Sequence, residues 1–219
     1  MQEINEIRRR QFKSPPLRRH PEDLPYCIEL KSDDTDRIHK EAMAVFEFMK
    51  NDPEKRFHLD DCTYMPPNPE MWQVIKEEFP FVWEFKQRYK MSDLMMFVSY
   101  INPIGYSHRP HTHNTPSGAA LFLTIKYSEG ASTAFYKPKQ ENVLAYTYEF
   151  GSGWTTTSEE CFDTEPDYIV QMNTPHVLAL NAFHKPIETI PGHPDNLERV
   201  TMNWATKLRF EKFADKINS

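Results

Sequence analysis

The stretch AALFLTIKYSEGASTAFYK, residues 119–137, sets two runs of aliphatic, aromatic and β-branched residues on either side of a short Ser-Glu-Gly break. Short runs of this kind, bounded by turn residues, read as strands. The same texture recurs from residue 94 onward, in LMMFVSYI (94–101), VLAYTYEF (143–150), DYIVQM (167–172), VLALNAF (177–183) and RVTMNWATKLRF (199–210). Seven or more strands with no helix between them predict an antiparallel sandwich or barrel. The connection GSGWTTTSEECFDTEP (151–166) is long and polar for such a fold and reads as a loop at the mouth.

Upstream of residue 90 the periodicity is helical. In DDTDRIHKEAMAVFEFMKN (33–51) the apolar residues Ile38, Ala42, Val45, Phe46 and Met49 recur at spacings of three and four behind an Asp or Thr cap. His39 lies off that stripe and reads as solvated. A second helical segment, NPEMWQVIKEEFPFVWEFKQRYK (68–90), has Asn68 as cap, Pro69 in the first turn and a broad apolar face of Met71, Trp72, Ile75, Phe79, Val82, Trp83 and Phe85. Pro80 should kink or split it, since it removes an amide donor and clashes with the preceding turn. The aromatic residues of these helices read as core packing. PYCIEL (25–30) reads as an edge strand. The fold class expected is mainly β with N-terminal helices, an α+β arrangement. It comprises an arm over 1–33 and one domain over 34–219, with helical support at 34–90 and the barrel at 91–210.

The chain has 219 residues, 39% of them hydrophobic and 13% aromatic, and a formal charge of -6. That balance suits a globular protein and argues against general affinity for nucleic acid, which draws on clustered cations. The one basic cluster, Arg8, Arg9, Arg10, Lys13, Arg18 and Arg19, falls in the proline-bearing arm and reads as a solvated segment. No run of about 18 apolar residues predicts a membrane span, and the opening MQEINEIRRR lacks the apolar region of a signal peptide. Cys27, Cys62 and Cys161 are far apart, which points to a cytoplasmic protein without a disulfide framework or structural zinc.

GYSHRPHTHNTPSG (105–118) holds His108, His111 and His113, three of the nine histidines. In a strand, residues two apart project to one side, so His111 and His113 can face a single ion. A lone HxH in a loop is more often incidental than ligating. A third histidine, His184, directly follows the apolar run VLALNAF and is expected at the end of that strand, at the barrel mouth; the alternative is a turn residue before Pro186. His176 precedes the same run and ranks second as a third ligand, and His193, in PGHPDN, reads as solvated. Fifteen residues beyond His184, Arg199 opens a strand-like run with Thr201 on the same face. A guanidinium inside a barrel binds a carboxylate in two-pronged fashion, and a hydroxyl two residues on can share it. The alternative is an arginine on a solvated strand.

The order HxH, strands, buried strand with His, then R-x-T resembles the 2-oxoglutarate- and Fe(II)-dependent dioxygenases. Their pattern is HxD/E…H…R-x-S/T on a double-stranded β-helix, the cupin-like jelly roll. HTHNTPSGAALFLTIKYSEGASTAFYKP (111–138) looks closest to the branch in which HxHP…SGxYY…P replaces HxD. The match covers residues 94–208. The resemblance implies His111 as first metal ligand, His113 at the carboxylate position, His184 as distal ligand, Arg199 bridged to the distal carboxylate of 2-oxoglutarate and Thr201 hydrogen-bonding the same group. His108 would support the site or face substrate. A histidine at 113 makes the ligand set three neutral imidazoles, leaving Fe(II) more positive than the usual triad. That departure allows a different metal, a two-histidine site with His113 behind it, or a degenerate enzyme.

The reaction implied is hydroxylation of a small molecule, amino acid or peptidyl residue, consuming O2 and 2-oxoglutarate. Tyr106, Trp154 and Asn203 are candidate pocket residues. Two other classes fit the histidines. One is a cupin-type three-histidine dioxygenase that needs no co-substrate and leaves Arg199 a structural role. The other is a non-catalytic barrel that serves as a binding module.

Overall fold

A computed structural model describes residues 24–60, 63–66, 68–101, 110–113, 118–126, 131–139, 146–148, 154–156, 161–171, 174–179, 182–188 and 198–219. In chain order the elements are β1 (Cys27–Glu29), α1 (Asp33–Lys50), β2 (His58–Asp60), β3 (Thr63–Tyr64), α2 (Pro69–Glu78), α3 (Pro80–Arg88), β4 (Met91–Ile101), β5 (His111–His113), β6 (Ala119–Lys126) and β7 (Ala131–Tyr136). They continue with β8 (Tyr146–Tyr148), β9 (Trp154–Thr156), β10 (Tyr168–Gln171), β11 (His176–Ala179), β12 (Phe183–Glu188), β13 (Glu198–Thr206) and α4 (Phe210–Asn218). None of these helices is long and apolar enough to cross a membrane.

The protein is mostly β, with two antiparallel sheets. The larger runs β1-β11-β6-β13-β4-β3-β2 and the smaller β10-β7-β12-β5-β9-β8. The chain passes back and forth between them: β5 is in the smaller sheet, β6 in the larger and β7 in the smaller, and β10 to β13 alternate in the same way.

The helical stretches form as their spacing dictates. Ser32, one residue ahead of the expected Asp or Thr, caps α1: its hydroxyl accepts from the Thr35 amide at 3.2 Å while Thr35 accepts from the Ser32 amide at 3.0 Å. Asn68 caps α2, accepting from the Met71 amide at 3.0 Å. Pro80 divides the second helical stretch into α2 and α3, as its missing donor requires. All five stripe residues of α1 are buried in one cluster with Trp72, Ile75, Val82 and Phe85, against Met95, Phe97, Leu121, Leu123, Val200, Met202 and Trp204 of the larger sheet. Trp204 stacks on Trp72 at 5.8 Å and on Phe85 at 5.8 Å, so the aromatics of the helices are core, as their periodicity predicts. The helices thus cover one face of the larger sheet and leave its other face toward the smaller.

Several expectations need correction. The apolar run 177–183 is two strands: β11 ends at Ala179 in the larger sheet and β12 begins at Phe183 in the smaller. An apolar run cannot by itself distinguish one buried strand from two that meet at a corner. The supposed loop 151–166 contains β9, for which the β-branched run after Trp154 was the available signal. Residues after Lys207 turn helical as α4, whose buried Phe210, Phe213, Ala214 and Ile217 follow a helical stripe. His39 is half-buried rather than solvated, its Nε2 donating to the Thr124 carbonyl at 3.2 Å. PYCIEL is an edge strand as expected, β1 pairing with β11. Cys27 is a free thiol; Cys62, His193 and the basic cluster lie outside the described residues.

Trp204→Ala should cost about 3–5 kcal/mol of stability, as expected for removing a fully buried aromatic from a packed core. Urea unfolding followed by far-UV circular dichroism measures it.

Candidate functional site

The histidines meet through strand register. In the smaller sheet β12 lies between β5 and β7, and His184 is the residue directly opposite His111 on one side and Phe135 on the other. Residues opposite each other in an antiparallel pair project from the same face. The rings of His111 and His184 accordingly lie 4.8 Å apart, centroid to centroid, and only 6% and 2% of the two residues is exposed. His184 was expected at the end of a strand, at the mouth. Instead it is the second residue of β12, enclosed between the sheets, because the chain has already changed sheets before reaching it.

The walls around His184 are aromatic. Phe122 of β6 meets it edge-on at 5.9 Å and Phe135 of β7 lies at 6.0 Å. The Nδ1 of His184 is 3.0 Å from the carbonyl of Ala182. A carbonyl only accepts, so Nδ1 carries the proton and Nε2 presents its lone pair. Burial pushes the pKa of His184 down to about 4, partly offset by that hydrogen bond, so the ring is neutral at pH 7. A backbone bond at one nitrogen that fixes the lone pair at the other is the arrangement by which proteins orient imidazole ligands.

Facing this pair across the interior is β13. Its Val200, Met202 and Trp204 belong to the helix-covered core, so the alternate positions Arg199, Thr201 and Asn203 take the opposite face. That face is the one toward His184: Asn203 pairs with Phe122, whose ring reaches His184, and Thr201 pairs with Thr124 two residues further along β6. Arg199 is 1% exposed, while Thr201 and Asn203 are half-buried. The interior therefore holds two imidazoles on one wall and a guanidinium with a hydroxyl on the other.

His176, the other candidate ligand, opens β11 in the larger sheet, opposite Phe122. Its Nε2 donates to the Gln171 carbonyl at 2.8 Å, which clamps the crossover from β10 to β11, and burial lowers its pKa. His113 occupies the β5 position opposite Trp154 of β9. The side chains of His113 and Trp154, together with His108 and Tyr106, lie outside the described residues. Among the described residues no three His, Cys, Asp or Glu side chains gather as a metal site, so the assembled part is the pair His111 and His184. The walls Phe122 and Phe135 were not singled out in the sequence, where they are two aromatics among many in strands.

No protein-family model matches the chain, and no curated protein matches it significantly in sequence.

The folded pKa of His184 lies below the value of about 6.5 for an unfolded histidine, so the unfolded chain binds the extra proton first. Its contribution to stability is complete above about pH 6.5 and declines as pH falls from there toward 4, by about 3 kcal/mol in all. His176 acts in the same direction. Urea unfolding of metal-free protein from pH 7.5 to 4.5 should show this loss, and His184→Gln should flatten it.

Proposed function

We propose that the protein is a non-haem Fe(II)- and 2-oxoglutarate-dependent dioxygenase, a hydroxylase built on a double-stranded β-helix or jelly roll. The observation that carries the reading is the buried cross-strand pair His111–His184 facing, across the interior, the strand face that bears buried Arg199. The passage of successive strands from one sheet to the other supports the jelly roll. The free thiol of Cys27 accords with a cytoplasmic setting.

The residues present fit both groups that this activity needs. Neutral imidazoles suit a divalent first-row metal, and the Ala182 bond leaves the Nε2 of His184 as a donor. His113, two residues along the same strand from His111, is the proposed third ligand. Arg199 would hold the distal carboxylate of 2-oxoglutarate, with Thr201 donating to the same group. Bound together, iron, the keto acid and O2 supply oxidative decarboxylation to succinate with insertion of one oxygen atom into a C–H bond of the substrate.

The chain's own contribution is electrostatic and spatial. Three neutral ligands leave the full +2 charge of the metal in the site, and Arg199 adds another positive charge, so a dianionic keto acid is a matched occupant. Phe122 and Phe135 keep water from the inner side of His184, which confines reactive chemistry to the substrate. Asn203, level with Phe122 across the strand pair, is the described residue proposed to meet the substrate; Trp154 and Tyr106 are its proposed companions from the smaller sheet and the 102–109 segment. The substrate class proposed is a small molecule, an amino acid or a peptidyl residue.

Anaerobic titration with Fe(II), followed by visible absorbance, tests the pairing. A weak charge-transfer band should appear only when iron and 2-oxoglutarate are both present, and Arg199→Ala should abolish it by removing the anchor. Oxygen uptake that ignores added 2-oxoglutarate would replace this reading with a three-histidine dioxygenase. His111→Gln and His184→Gln should each lower Fe(II) affinity at least tenfold, the usual loss when a ligand sphere is damaged. Glutamine is the variant to use at 184 because the site is enclosed and alanine would add a cavity.

A further inference from the structure

The face of β13 that carries Arg199 and Thr201 has a neighbour that the R-x-T pattern does not include. Thr201 pairs with Thr124 of β6, so the two hydroxyl-bearing residues project side by side from one face of the larger sheet. The assignment of that face is independent of Thr201. Ala119, Leu121 and Leu123 of β6 pack in the helix-covered core, which sends Phe122 and Thr124 to the interior side. Phe122 reaches His184 there. Thr124 is 2% exposed, and its Oγ1 makes no hydrogen bond among the described residues. A hydroxyl shut away from water without a partner is a cost to the fold, and it persists where another demand holds it. Its backbone is fixed as well, since the Thr124 carbonyl accepts from His39 of α1.

Resting on the co-substrate reading above, we infer that Thr124 is a third anchor for the distal carboxylate of the keto acid, its hydroxyl donating to the same group as Arg199 and Thr201. Length agrees with this. Thr124 lies two residues along β6 from Phe122, the residue level with the histidine pair, and two residues of strand span about 7 Å. A five-carbon dicarboxylate chelated at the histidines by one end carries its other carboxylate about that far away. A carboxylate offers about four acceptor positions, so a two-pronged guanidinium and two hydroxyls can all be accommodated. The pocket so formed selects a ligand with acids at both ends, because a keto acid lacking the distal carboxylate leaves the buried Thr124 hydroxyl unanswered.

The test is calorimetric titration of the full chain with 2-oxoglutarate, in the presence of Mn(II) as an oxygen-stable substitute for Fe(II), for wild type, Thr124→Val and Thr124→Ser. Valine keeps the shape and removes the hydroxyl. It should weaken binding about tenfold, serine should restore most of the affinity, and pyruvate should bind both proteins equally poorly. In the ligand-free protein Thr124→Val should unfold at the same temperature as wild type or higher, because a hydroxyl without a partner has been removed. Equal affinity of wild type and Thr124→Val for 2-oxoglutarate overturns this inference alone. A lower unfolding temperature for ligand-free Thr124→Val assigns the hydroxyl to the fold and also overturns it. Absence of any binding by wild type overturns the co-substrate reading and this inference with it.

Discussion

The strand on which the structure depends is β13, which cannot be apolar on both faces and still serve a polar interior. It sits between β6 and β4 in the middle of the larger sheet, so every residue from Arg199 to Ala205 is committed to one side or the other. One side gives Val200, Met202 and Trp204 to the core beneath the helices; the other gives Arg199, Thr201 and Asn203 to the space between the sheets. Burying a guanidinium is costly unless something compensates its charge. The helix layer makes that cost tolerable by supplying a large apolar core on the far face, where Trp72, Phe85 and Trp204 stack.

The smaller sheet contributes by register what the larger contributes by alternation. His111 and His184 are 73 residues apart in sequence and become neighbours only because β12 pairs with β5 at that one position. A slip of one residue in that pairing would turn one imidazole to the outer face. The outer face has its own packing to hold the register, since Phe183 and Tyr136 pack with Phe162 there. The geometry of the histidine pair is thus maintained by apolar contacts on the opposite side of the same strands.

Local signals in the sequence carried the helices and much of the sheet. The stripe Ile38, Ala42, Val45, Phe46 and Met49, the cap at Asn68 and the break at Pro80 each depend on neighbours within a turn or two, and each appears as the periodicity requires. What depended on distant partners was not legible. Nothing near Leu180 announces that the chain changes sheets, so His184 was expected at a rim and is enclosed instead. His39 lies off its helix stripe, yet β6 comes near enough to use it. Among the candidate site residues, Arg199, Thr201 and Asn203 share a face by simple alternation, which sequence can state. The partnership of Thr201 with Thr124 needed the pairing of β13 with β6, which it cannot.

The order in which these strands are made has a consequence for synthesis. β6 and β4 emerge from the ribosome long before β13, the last strand in chain order, which must insert between them. Until it does, two apolar strand edges and the underside of the helix layer lack their central partner, and such edges invite mispairing with other chains. The residues that close the sheet are the same ones that bring in the guanidinium. A nascent or truncated chain without them would therefore leave those edges and the interior face open to wrong partners.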